Sequence, residues 1–340
     1  MPDAALVALD WGTTTFRAWL LDGTGAVLDA VRSDDGVLAV SAGAAAARSP
    51  DDGGDTTAAP SGTAPAAARA RAFEAVFTAR CGPWLAAHPG LPVLCAGMAG
   101  SNHGWAEAGY LDVPATLDGL AGRLTAVSAD GVTVHLVPGL RVTGADPDVL
   151  RGEEVQLAGV LATSDDPPST VVLPGTHSKW VRLDDGRVTG FTTAMTGELY
   201  GLLLRGSILA RLAEGDPGPE VGAAFVRGLD TERDHGDDRG LPALLFTART
   251  LVLAGRLDPA DVADYVSGLL VGAEVRHGLR GVTGVVALCG PGSTADRYRH
   301  ALERHGASVR VVGPEAAVAG LWRVARDAGL VPVPDPEETA

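Results

Sequence analysis

The segment Asp10-Trp11-Gly12-Thr13-Thr14-Thr15 lies between two apolar runs, residues 4–9 and 16–21. Both runs are short and end at turn residues, which predicts consecutive strands of a hairpin whose turn is the Gly-Thr-Thr segment. Glycine lets the backbone approach an anion, and successive N–H groups and threonine hydroxyls can donate to its oxygens. A carboxylate at the end of the preceding strand can hold a hydrated magnesium ion. The segment therefore predicts a phosphate-binding turn with Asp10 as metal ligand and Gly12, Thr13 and Thr14 at the phosphate, although a polar turn without a ligand fits this motif equally well.

The composition predicts a soluble, cytoplasmic protein of two domains. The chain has 340 residues, enough for two compact domains with sizeable cores. No apolar run reaches the roughly 18–20 residues that span a bilayer, and the N-terminal residues lack the basic and apolar regions of a signal peptide. The cysteines Cys81, Cys95 and Cys289 are widely spaced, which favours structural thiols over disulfides or a zinc site.

The formal net charge of -15 argues against a nucleic-acid or membrane-surface partner, because phosphate backbones favour proteins of net positive charge. A phosphate ligand must then be held locally, by backbone amides, a metal ion and a few cations. The chain has one lysine, Lys179, one asparagine, Asn102, and one glutamine, Gln156. Their presence in a chain that otherwise avoids these types favours specific roles for them, with chance as the alternative.

Hydrophobic periodicity predicts a mixed α/β chain. The predicted strands cover residues 4–9, 16–21, 26–32, 91–96, 132–137, 170–173, 180–183, 285–288 and 308–312, with a further strand after the turn at 184–186. The predicted helices cover residues 67–88, 148–161, 197–213, 219–229, 241–255, 259–279, 294–305 and 314–328, and Gly82-Pro83 is expected to kink or divide the first. Residues 41–66 are small and polar and predict an exposed flexible segment, and residues 332–340 predict a disordered tail.

A second Gly-Thr hairpin repeats the organisation of the first. The strand 170–173 runs into the turn Pro174-Gly175-Thr176-His177-Ser178-Lys179 and then into the strand 180–183. Two such units in one chain indicate a duplicated architecture, with two phosphate-facing hairpins opposed across a cleft. The glycine spacing is not that of a Walker A loop. The turn is predicted to hold the other side of a polyphosphate through Gly175, Thr176, His177, Ser178 and Lys179.

The acidic pair Glu153-Glu154 is the best candidate for proton transfer. It follows Gly152 at the start of the helix predicted from a possible N-cap at Asp148. A hydroxyl must lose its proton as it attacks a γ-phosphoryl group, and a carboxylate within hydrogen-bond reach can accept it. Spacing favours Glu153, which should share an inward face with Leu157, whereas Glu154 can stabilise the helix N-terminus as acids there ordinarily do.

The segment Gly290-Pro-Gly292-Ser-Thr-Ala295 lies between a predicted strand and a predicted helix. It fits a dinucleotide-binding fingerprint, but that fingerprint belongs to the first unit of a multi-strand sheet, and only one strand follows in this chain. A close backbone approach to a nucleoside by Gly290 and Gly292 is the preferred interpretation. Tight packing of a strand against a helix is an equally good explanation of this motif by itself.

Several motifs together resemble the 2-keto-3-deoxygalactonate kinases. They are Asp10-Trp-Gly-Thr-Thr with Arg17-Ala-Trp19, Gly97-Met98-Ala-Gly-Ser101 with Gly104-Trp105, Arg151-Gly-Glu-Glu-x-Gln156, Leu173-Pro-Gly-Thr-His-Ser-Lys-Trp180 and Met195-Thr-Gly-Glu198. The resemblance runs in order over roughly residues 4–325, and only residues 41–66 look like an insertion. It implies an α/β protein of two ribonuclease-H-like domains, the actin/hexokinase-like ATPase fold, around a nucleotide cleft with ATP and Mg²⁺. In exopolyphosphatase-like relatives a Gly-x-x-Glu-Glu-type element carries the catalytic carboxylate, which supports Glu153 or Glu154.

The resemblance implies phosphorylation of 2-dehydro-3-deoxy-D-galactonate to its 6-phosphate, in galactonate catabolism. The expected domains are residues 1–147, with the first hairpin and the sugar-acid loop, and residues 148–330, with the second hairpin and the adenosine site, before a tail at 331–340. Substrate contacts are expected from the loop 97–105 and its surroundings, namely Met98, Ser101, Asn102, Trp105, Glu107 and Tyr110, with Arg17 or Arg151 at the carboxylate.

Alternative functions on the same fold are a kinase of another sugar or keto-sugar acid and a phosphatase. A non-catalytic sugar sensor is disfavoured, because such proteins need a DNA-binding domain and this chain begins at the catalytic hairpin with strong negative charge. The expected partners are the sugar acid and ATP, with no nucleic acid and no membrane, and a homodimer is compatible with the sequence.

Overall fold

The protein is described by a computed structural model that covers residues 3–46, 66–164, 166–215, 218, 220–290 and 292–332. The chain forms two compact units, Met1–Asp165 with Glu315–Ala340 (unit 1) and Asp166–Pro314 (unit 2). The domain boundary expected from the sequence, between residues 147 and 148, stays a prediction. Of the segment expected to be flexible, residues 47–65 lie outside the described residues, as do residues 333–340 of the expected tail.

Strands and helices are numbered separately in chain order. Strands are β1 Ala4–Trp11, β2 Phe16–Asp22, β3 Val27–Ser33, β4 Val93–Gly97, β5 Tyr110–Asp112, β6 Ala115–Thr116, β7 Thr125–Ala129, β8 Val132–Leu136, β9 Gly139–Val142, β10 Asp148–Leu150, β11 Thr170–Leu173, β12 Ser178–Asp184, β13 Arg187–Ala194, β14 Val285–Cys289 and β15 Ser308–Val312. Helices are α1 Val37–Ala46, α2 Ala66–Ala87, α3 Glu153–Ala162, α4 Thr196–Gly206, α5 Ala223–Arg239, α6 Leu241–Leu253, α7 Val262–Gly278, α8 Gly292–Arg304 and α9 Glu315–Asp327.

Unit 1 is built on a mixed sheet with the strand order β3-β2-β1-β4-β8-β7. The first three strands form the predicted antiparallel meander, and β1 runs parallel to β4. An aromatic core fills one side of the sheet, where Trp11 packs edge-on against Phe16 and at 5.0 Å from Phe73. Such rings bury large apolar areas, and they anchor the strand that carries Asp10.

The strands of unit 2 repeat this organisation, in the order β15-β14-β11-β12-β13. The hairpin β11–β12 is antiparallel, and β11 runs parallel to β14, as β1 does to β4. This confirms the duplicated architecture predicted from the two Gly-Thr turns.

Helix α3 packs against α9, which returns to unit 1 from the end of the chain. The contact is made at glycines, because a Cβ added to Gly159 would lie 1.8 Å from the Ala316 carbonyl oxygen and one on Gly320 would lie 1.6 Å from that of Val155. Backbone therefore lies directly on backbone, and this contact fixes the position of α3.

Several sequence-based assignments differ from the structure. Asp148 is not a helix N-cap but begins β10, where it pairs with Val142 in a small sheet, and α3 starts only at Glu153. Residues 41–46, expected to be flexible, are the second half of α1. Residues 138–147, for which no strand is predicted, contain β9. Helix α2 runs unbroken through Pro83.

Within the described ranges no helix is both long and apolar enough to cross a bilayer. Cys81, Cys95 and Cys289 are all buried, as expected for structural thiols.

Candidate active site

The carboxyl ends of β1 and β4 meet at one edge of the unit 1 sheet. Asp10 lies beside Ala96 and Trp11 beside Gly97 in the parallel register. Gly97 has φ 93°, and a Cβ there would lie 2.7 Å from the Trp11 carbonyl oxygen and 3.2 Å from Asp10 Oδ1. Only glycine fits this position, which lets the loop after β4 turn away directly beside the carboxylate. Ligand sites of open α/β sheets characteristically lie at such an edge.

The Asp10 carboxylate is 4% exposed and forms an ion pair with Arg17 across the hairpin. Arg17 Nη2 donates to Asp10 Oδ2 at 2.5 Å. Burial raises the pKa of Asp10, the Arg17 charge lowers it, and the charge of Glu153 raises it further. Asp10 and Glu153 are thus close enough to interact electrostatically, although 143 positions separate them.

The turn after β1 is held by the first residues of α1. The N–H groups of Val37 and Leu38 donate to the carbonyl oxygens of Gly12 and Thr13, each at 3.0 Å. Thr13 and Thr14 are exposed. The turn is therefore fixed from behind while its outer face is accessible to a ligand.

Helix α3 begins at the same sheet edge. Gly152, with φ 102°, precedes it, and a Cβ on this glycine would lie 3.3 Å from the Gly97 Cα. The half-buried Glu153 accepts a hydrogen bond through Oε2 from the Arg151 N–H at 3.0 Å. The positive φ and the close approach of the two glycines bring Glu153 to the edge where Asp10 lies.

Glu154 occupies a different environment from its neighbour. Its side chain is fully buried, and its Oε2 accepts a hydrogen bond from the Gly152 N–H at 2.6 Å. Burial raises its pKa from 4.5 to about 8, with a further contribution from the charge of Glu153. Among the described residues Glu154 Oε1 has no hydrogen-bond partner. At neutral pH this carboxyl group is largely protonated.

Glu154, and not Glu153, is the buried member of this pair. This is the opposite of the expectation that Glu153 faces inward and Glu154 lies at the helix end. The reason is that α3 also buries Val155, Leu157, Ala158 and Val160, so it is enclosed on several sides and has no single inward face.

The loop after β4 presents some of its expected substrate contacts to solvent and buries others. Asn102 and Glu107 are exposed and Met98 is half-buried, whereas Ser101 is buried with no partner for its hydroxyl in the described part of the chain. Trp105, expected as an apolar wall, is 6% exposed and stacks on Phe73 at 6.3 Å. The ring supports the loop from within the core.

Arg151 is enclosed beneath this loop. Its Nη2 donates to the Gly109 carbonyl oxygen at 2.7 Å, and its guanidinium lies 4.4 Å from the centre of the Tyr110 ring. A Cβ on Gly100 would lie 2.8 Å from Arg151 Nη1. In the described residues Nε and Nη1 lack partners, although both are buried. Arg151 therefore joins the end of β10 to the loop, and Arg17, whose side chain is 38% exposed, is the more accessible arginine.

In unit 2, the turn between β11 and β12 exposes Gly175, Thr176 and His177. His177 Nε2 lies 2.5 Å from Glu198 Oε2, and the Glu198 N–H donates to the Thr176 carbonyl oxygen at 3.0 Å. Ser178 and Lys179 are buried, and Lys179 Nζ donates to the His177 carbonyl oxygen at 2.8 Å. The start of α4 and Lys179 together fix the shape of this turn.

A cavity of about 570 Å³ opens beside the turn. The walls include the turn residues Gly175 and Thr176, the α4 residues Thr196, Gly197 and Tyr200, the α7 residue Ser267 and the α8 residues Ser293, Thr294, Arg297 and Tyr298. Its volume is in the range of small-molecule sites. Of the described residues at the start of α8, Ser293 and Thr294 line it, and Gly290 and Gly292 do not.

Sequence reasoning missed several of these wall residues. Arg297 is buried and donates to Asp264 Oδ1 at 2.5 Å and to the Gly218 carbonyl oxygen at 3.0 Å. Tyr298 and Ser267 are also contributed by helices that the sequence predicts only as amphipathic segments. Two sequence motifs were local signals for these walls, Met195-Thr-Gly-Glu198 through Thr196 and Gly197, and the segment 290–295 through Ser293 and Thr294.

The described residues contain no group of three or more His, Cys, Asp or Glu side chains arranged to hold a metal ion. Magnesium needs less than this, because it usually retains waters and binds one or two carboxylates together with substrate phosphates. Asp10 and Glu153 are two electrostatically coupled carboxylates at one sheet edge, so these residues fit a magnesium–phosphate complex.

The repeated sheets with their Gly-Thr hairpins have the actin/hexokinase-like ATPase fold, and the carboxylates at the sheet edge are of the kind that a phosphotransferase needs. The model of the 2-keto-3-deoxy-galactonokinase family matches residues 10–324. The chain belongs to this family, and it is accordingly an ATP-using kinase of a keto-deoxy sugar acid.

Two curated relatives match this chain over nearly their whole length. "Probable 2-dehydro-3-deoxygalactonokinase DgoK1" of Rhizobium meliloti (strain 1021) is 38% identical over 328 residues, which cover 94% of this chain and 96% of the relative. The 2-dehydro-3-deoxygalactonokinase of Escherichia coli (strain K12) is 37% identical over 328 residues, covering 95% and 98%. The crystal structure of a "putative 2-dehydro-3-deoxygalactonokinase protein" from Sinorhizobium meliloti matches with a TM-score of 0.78 at 36% identity, over 95% of this chain and 98% of that chain.

Proposed function

We propose that the chain phosphorylates the 6-hydroxyl of 2-dehydro-3-deoxy-D-galactonate with Glu153 as general base. The observation that carries this assignment is the location of Glu153, which is half-buried and coupled to Asp10 at the edge formed by β1 and β4. Glu154 is less suited, because it is fully buried and burial raises its pKa to about 8. A base must be ionised and within reach of the acceptor hydroxyl.

The proposed reaction is a single in-line displacement. Glu153 accepts the proton of the sugar 6-hydroxyl as the oxygen attacks the γ-phosphorus of ATP, the new O–P bond forms, and the bond to the β-phosphate oxygen breaks to release ADP. Catalysis then depends on positioning and on stabilising negative charge, since such transition states spread charge over the phosphoryl oxygens. The N–H groups and hydroxyls of the turn Gly12-Thr13-Thr14 supply donors for this purpose.

Asp10, with Glu153 nearby, is proposed to hold Mg²⁺ through its carboxylate. A bound magnesium ion would neutralise phosphate charge and orient the transferred group. The ion pair with Arg17 lowers the pKa of Asp10 and so opposes burial, which is the larger effect and raises it. Arg17 is also proposed to bind the substrate carboxylate, because its guanidinium is accessible and can form a bidentate contact.

The cavity of unit 2 is proposed to bind the nucleoside of ATP, with the turn from Gly175 to Lys179 on the phosphates. Its support is the combination of exposed turn residues and a volume of about 570 Å³ lined by helix residues and hydroxyls. The loop residues Met98, Ser101, Asn102 and Glu107 are proposed to contact the sugar acid, with Tyr110 and Trp105 supporting the loop.

Product analysis tests the proposal. Incubation of the protein with ATP, Mg²⁺ and 2-dehydro-3-deoxy-D-galactonate, followed by ³¹P NMR, should give one phosphate monoester coupled to the C6 protons. A product phosphorylated at another carbon would refute the assigned acceptor.

A cytoplasmic location and a homodimer remain predictions, and light scattering of the purified protein measures the oligomeric state.

A further inference from the structure

A buried carboxylate, Glu274 on α7, lies next to the proposed nucleotide cavity and has no role in the mechanism above. Its Oε1 accepts a hydrogen bond from the Trp180 indole N–H at 2.8 Å, and its Oε2 accepts one from the Tyr298 hydroxyl at 2.6 Å. The Thr196 hydroxyl bonds to the same carboxyl group. A carboxylate buried to this degree is costly unless donors surround it, and in this network they do.

Burial raises the pKa of Glu274, and the hydrogen bonds from its neighbours oppose this effect. The Tyr298 hydroxyl donates to Glu274, and the Ser178 hydroxyl, 2.8 Å from the Tyr298 oxygen, also bonds to the Glu274 carboxyl group. Ser178 is itself fully buried and immediately follows the exposed turn residues Gly175–His177. The network therefore consists of donors that all point towards one acceptor group.

The donors come from three elements around the cavity. Ser178 and Trp180 belong to the strand after the turn, Thr196 begins α4, and Tyr298 lies on α8. Thr196 and Tyr298 line the cavity directly. Gly197, next to Thr196, packs so closely on the turn that a Cβ there would lie 2.4 Å from the Gly175 carbonyl oxygen. Glu274 does not line this cavity itself, but it lies on α7, the helix that forms the fourth wall, and is the shared partner of the donors from the other three elements.

We infer that Glu274 is a positioning residue for nucleotide binding, which sets the relative placement of the phosphate turn, the start of α4 and α8. This inference rests on the proposed nucleotide site in unit 2. Without the carboxylate, Trp180, Tyr298 and Thr196 lose their common acceptor, and the buried donors must be satisfied by shifts of the elements that carry them. The consequence is weaker nucleotide binding, with the sugar-acid loop of unit 1 unaffected.

The test compares Glu274→Gln with a matched control, Glu232→Gln. A glutamine amide presents two donors where the network needs acceptors, while nearly keeping the shape of the side chain. Glu232 is another buried glutamate of unit 2 that does not line the cavity, but it pairs with Arg276 at 2.8 Å and not with residues of the cavity walls. Its substitution therefore measures the effect of losing a buried carboxylate in the same unit without touching the cavity walls.

Calorimetric titration of the full chain with a non-hydrolysable ATP analogue and Mg²⁺ should show a Kd raised about tenfold or more in Glu274→Gln, the effect of about one charged hydrogen bond. The KM for ATP should rise in parallel, and the KM for the sugar acid should stay within about twofold. Glu232→Gln should bind the analogue like the wild type. Tyr298→Phe and Ser178→Ala, which remove single hydroxyls, should each give a smaller increase in Kd. These two variants test the inference if Glu274→Gln does not fold.

Normal analogue binding in these variants, or equal losses in Glu274→Gln and Glu232→Gln, would overturn the inference. Failure of the wild type to bind the analogue would overturn the proposed nucleotide site and this inference with it. Binding by the wild type without sugar-acid turnover would contradict only the proposed function, because the titration does not require turnover.

Discussion

At the scale of single residues, Glu153 and Glu154 show how two identical side chains at a helix start can have different environments. Glu153 is half-buried and interacts with Asp10, whereas Glu154 is enclosed and bonds back to the Gly152 N–H. Sequence reasoning located the pair but not which member is buried. The burial depends on α9, which joins α3 from more than 150 positions along the chain, and no local pattern encodes that contact.

Glu153→Gln should lower kcat by about 10²- to 10⁴-fold, because a general base is lost while the shape of the side chain is kept. The melting temperature and the affinity for ATP should change little. Steady-state kinetics and calorimetry measure these quantities. If Glu153→Gln keeps kcat within a few-fold while Glu154→Gln abolishes activity, the roles of the two acids are reversed.

Glu154 should make stability depend on pH. The pKa of this carboxyl group is 4.5 as the reference value and about 8 in the folded protein. Between pH 4.5 and pH 8, the folded state therefore binds a proton that the unfolded state has released. Its stabilising contribution is complete below about pH 4.5 and is lost as the pH rises towards 8, by at most about 1.4 kcal/mol per pH unit.

Glu154→Gln imitates the protonated form and should remove this dependence. Urea denaturation from pH 5 to 9 measures the unfolding free energy of both proteins. The value of the wild type should fall relative to that of the variant up to about pH 8, and the difference should then stay constant. A constant difference across this range would show that Glu154 is ionised in the folded protein.

Asp10→Asn should reduce turnover by at least about 100-fold, since the carboxylate proposed to bind magnesium becomes a neutral amide. Raising the magnesium concentration should restore little activity. Asp118→Asn is the control, because Asp118 is an exposed acid of unit 1 paired with Arg323 on the surface. Normal turnover of Asp10→Asn at ordinary magnesium concentration would refute the assignment.

At the scale of elements, the two hairpins were predictable because each is a local pattern of apolar runs around a Gly-Thr turn. The start of α3 was not predictable. Asp148 belongs to a strand that pairs with β9, and the helix begins only after Gly152, which has a positive φ. Helix α1 was also missed, since its alanines and glycine give no clear amphipathic pattern. Elements with a local sequence signal could thus be predicted. The bounds of the others depend on tertiary pairing.

Gly320→Ala should destabilise the protein by about 1–3 kcal/mol or more, because the added methyl would meet the Val155 carbonyl oxygen. The displacement of α3 should also lower kcat. Gly43→Ala is a matched helical control, because a Cβ there meets nothing within 4 Å and alanine favours helix. Thermal unfolding and kinetics of both variants test this contact, and a Gly320→Ala protein as stable and active as Gly43→Ala would show that the close packing is not required.

At the scale of the whole molecule, two sheets of equivalent strand order carry equivalent hairpins, and the family match spans residues 10–324. The duplication was predictable because the Gly-Thr motif occurs twice with strands on both sides. The cavity of unit 2 was largely not predictable, because its walls come from α4, α7 and α8, which are distant in sequence. The acceptor chemistry followed from the family motifs.

The most direct test of the central claim is a coupled assay of ADP release across a panel of sugar acids. With ATP and Mg²⁺, the protein should release ADP rapidly with 2-dehydro-3-deoxy-D-galactonate, much more slowly with its gluconate-series epimer and other sugar acids, and hardly at all without an acceptor. The Glu153→Gln variant should lose the acceptor-dependent rate. Equal ADP release with and without the sugar acid, or a clear preference for a different acceptor, would contradict the account.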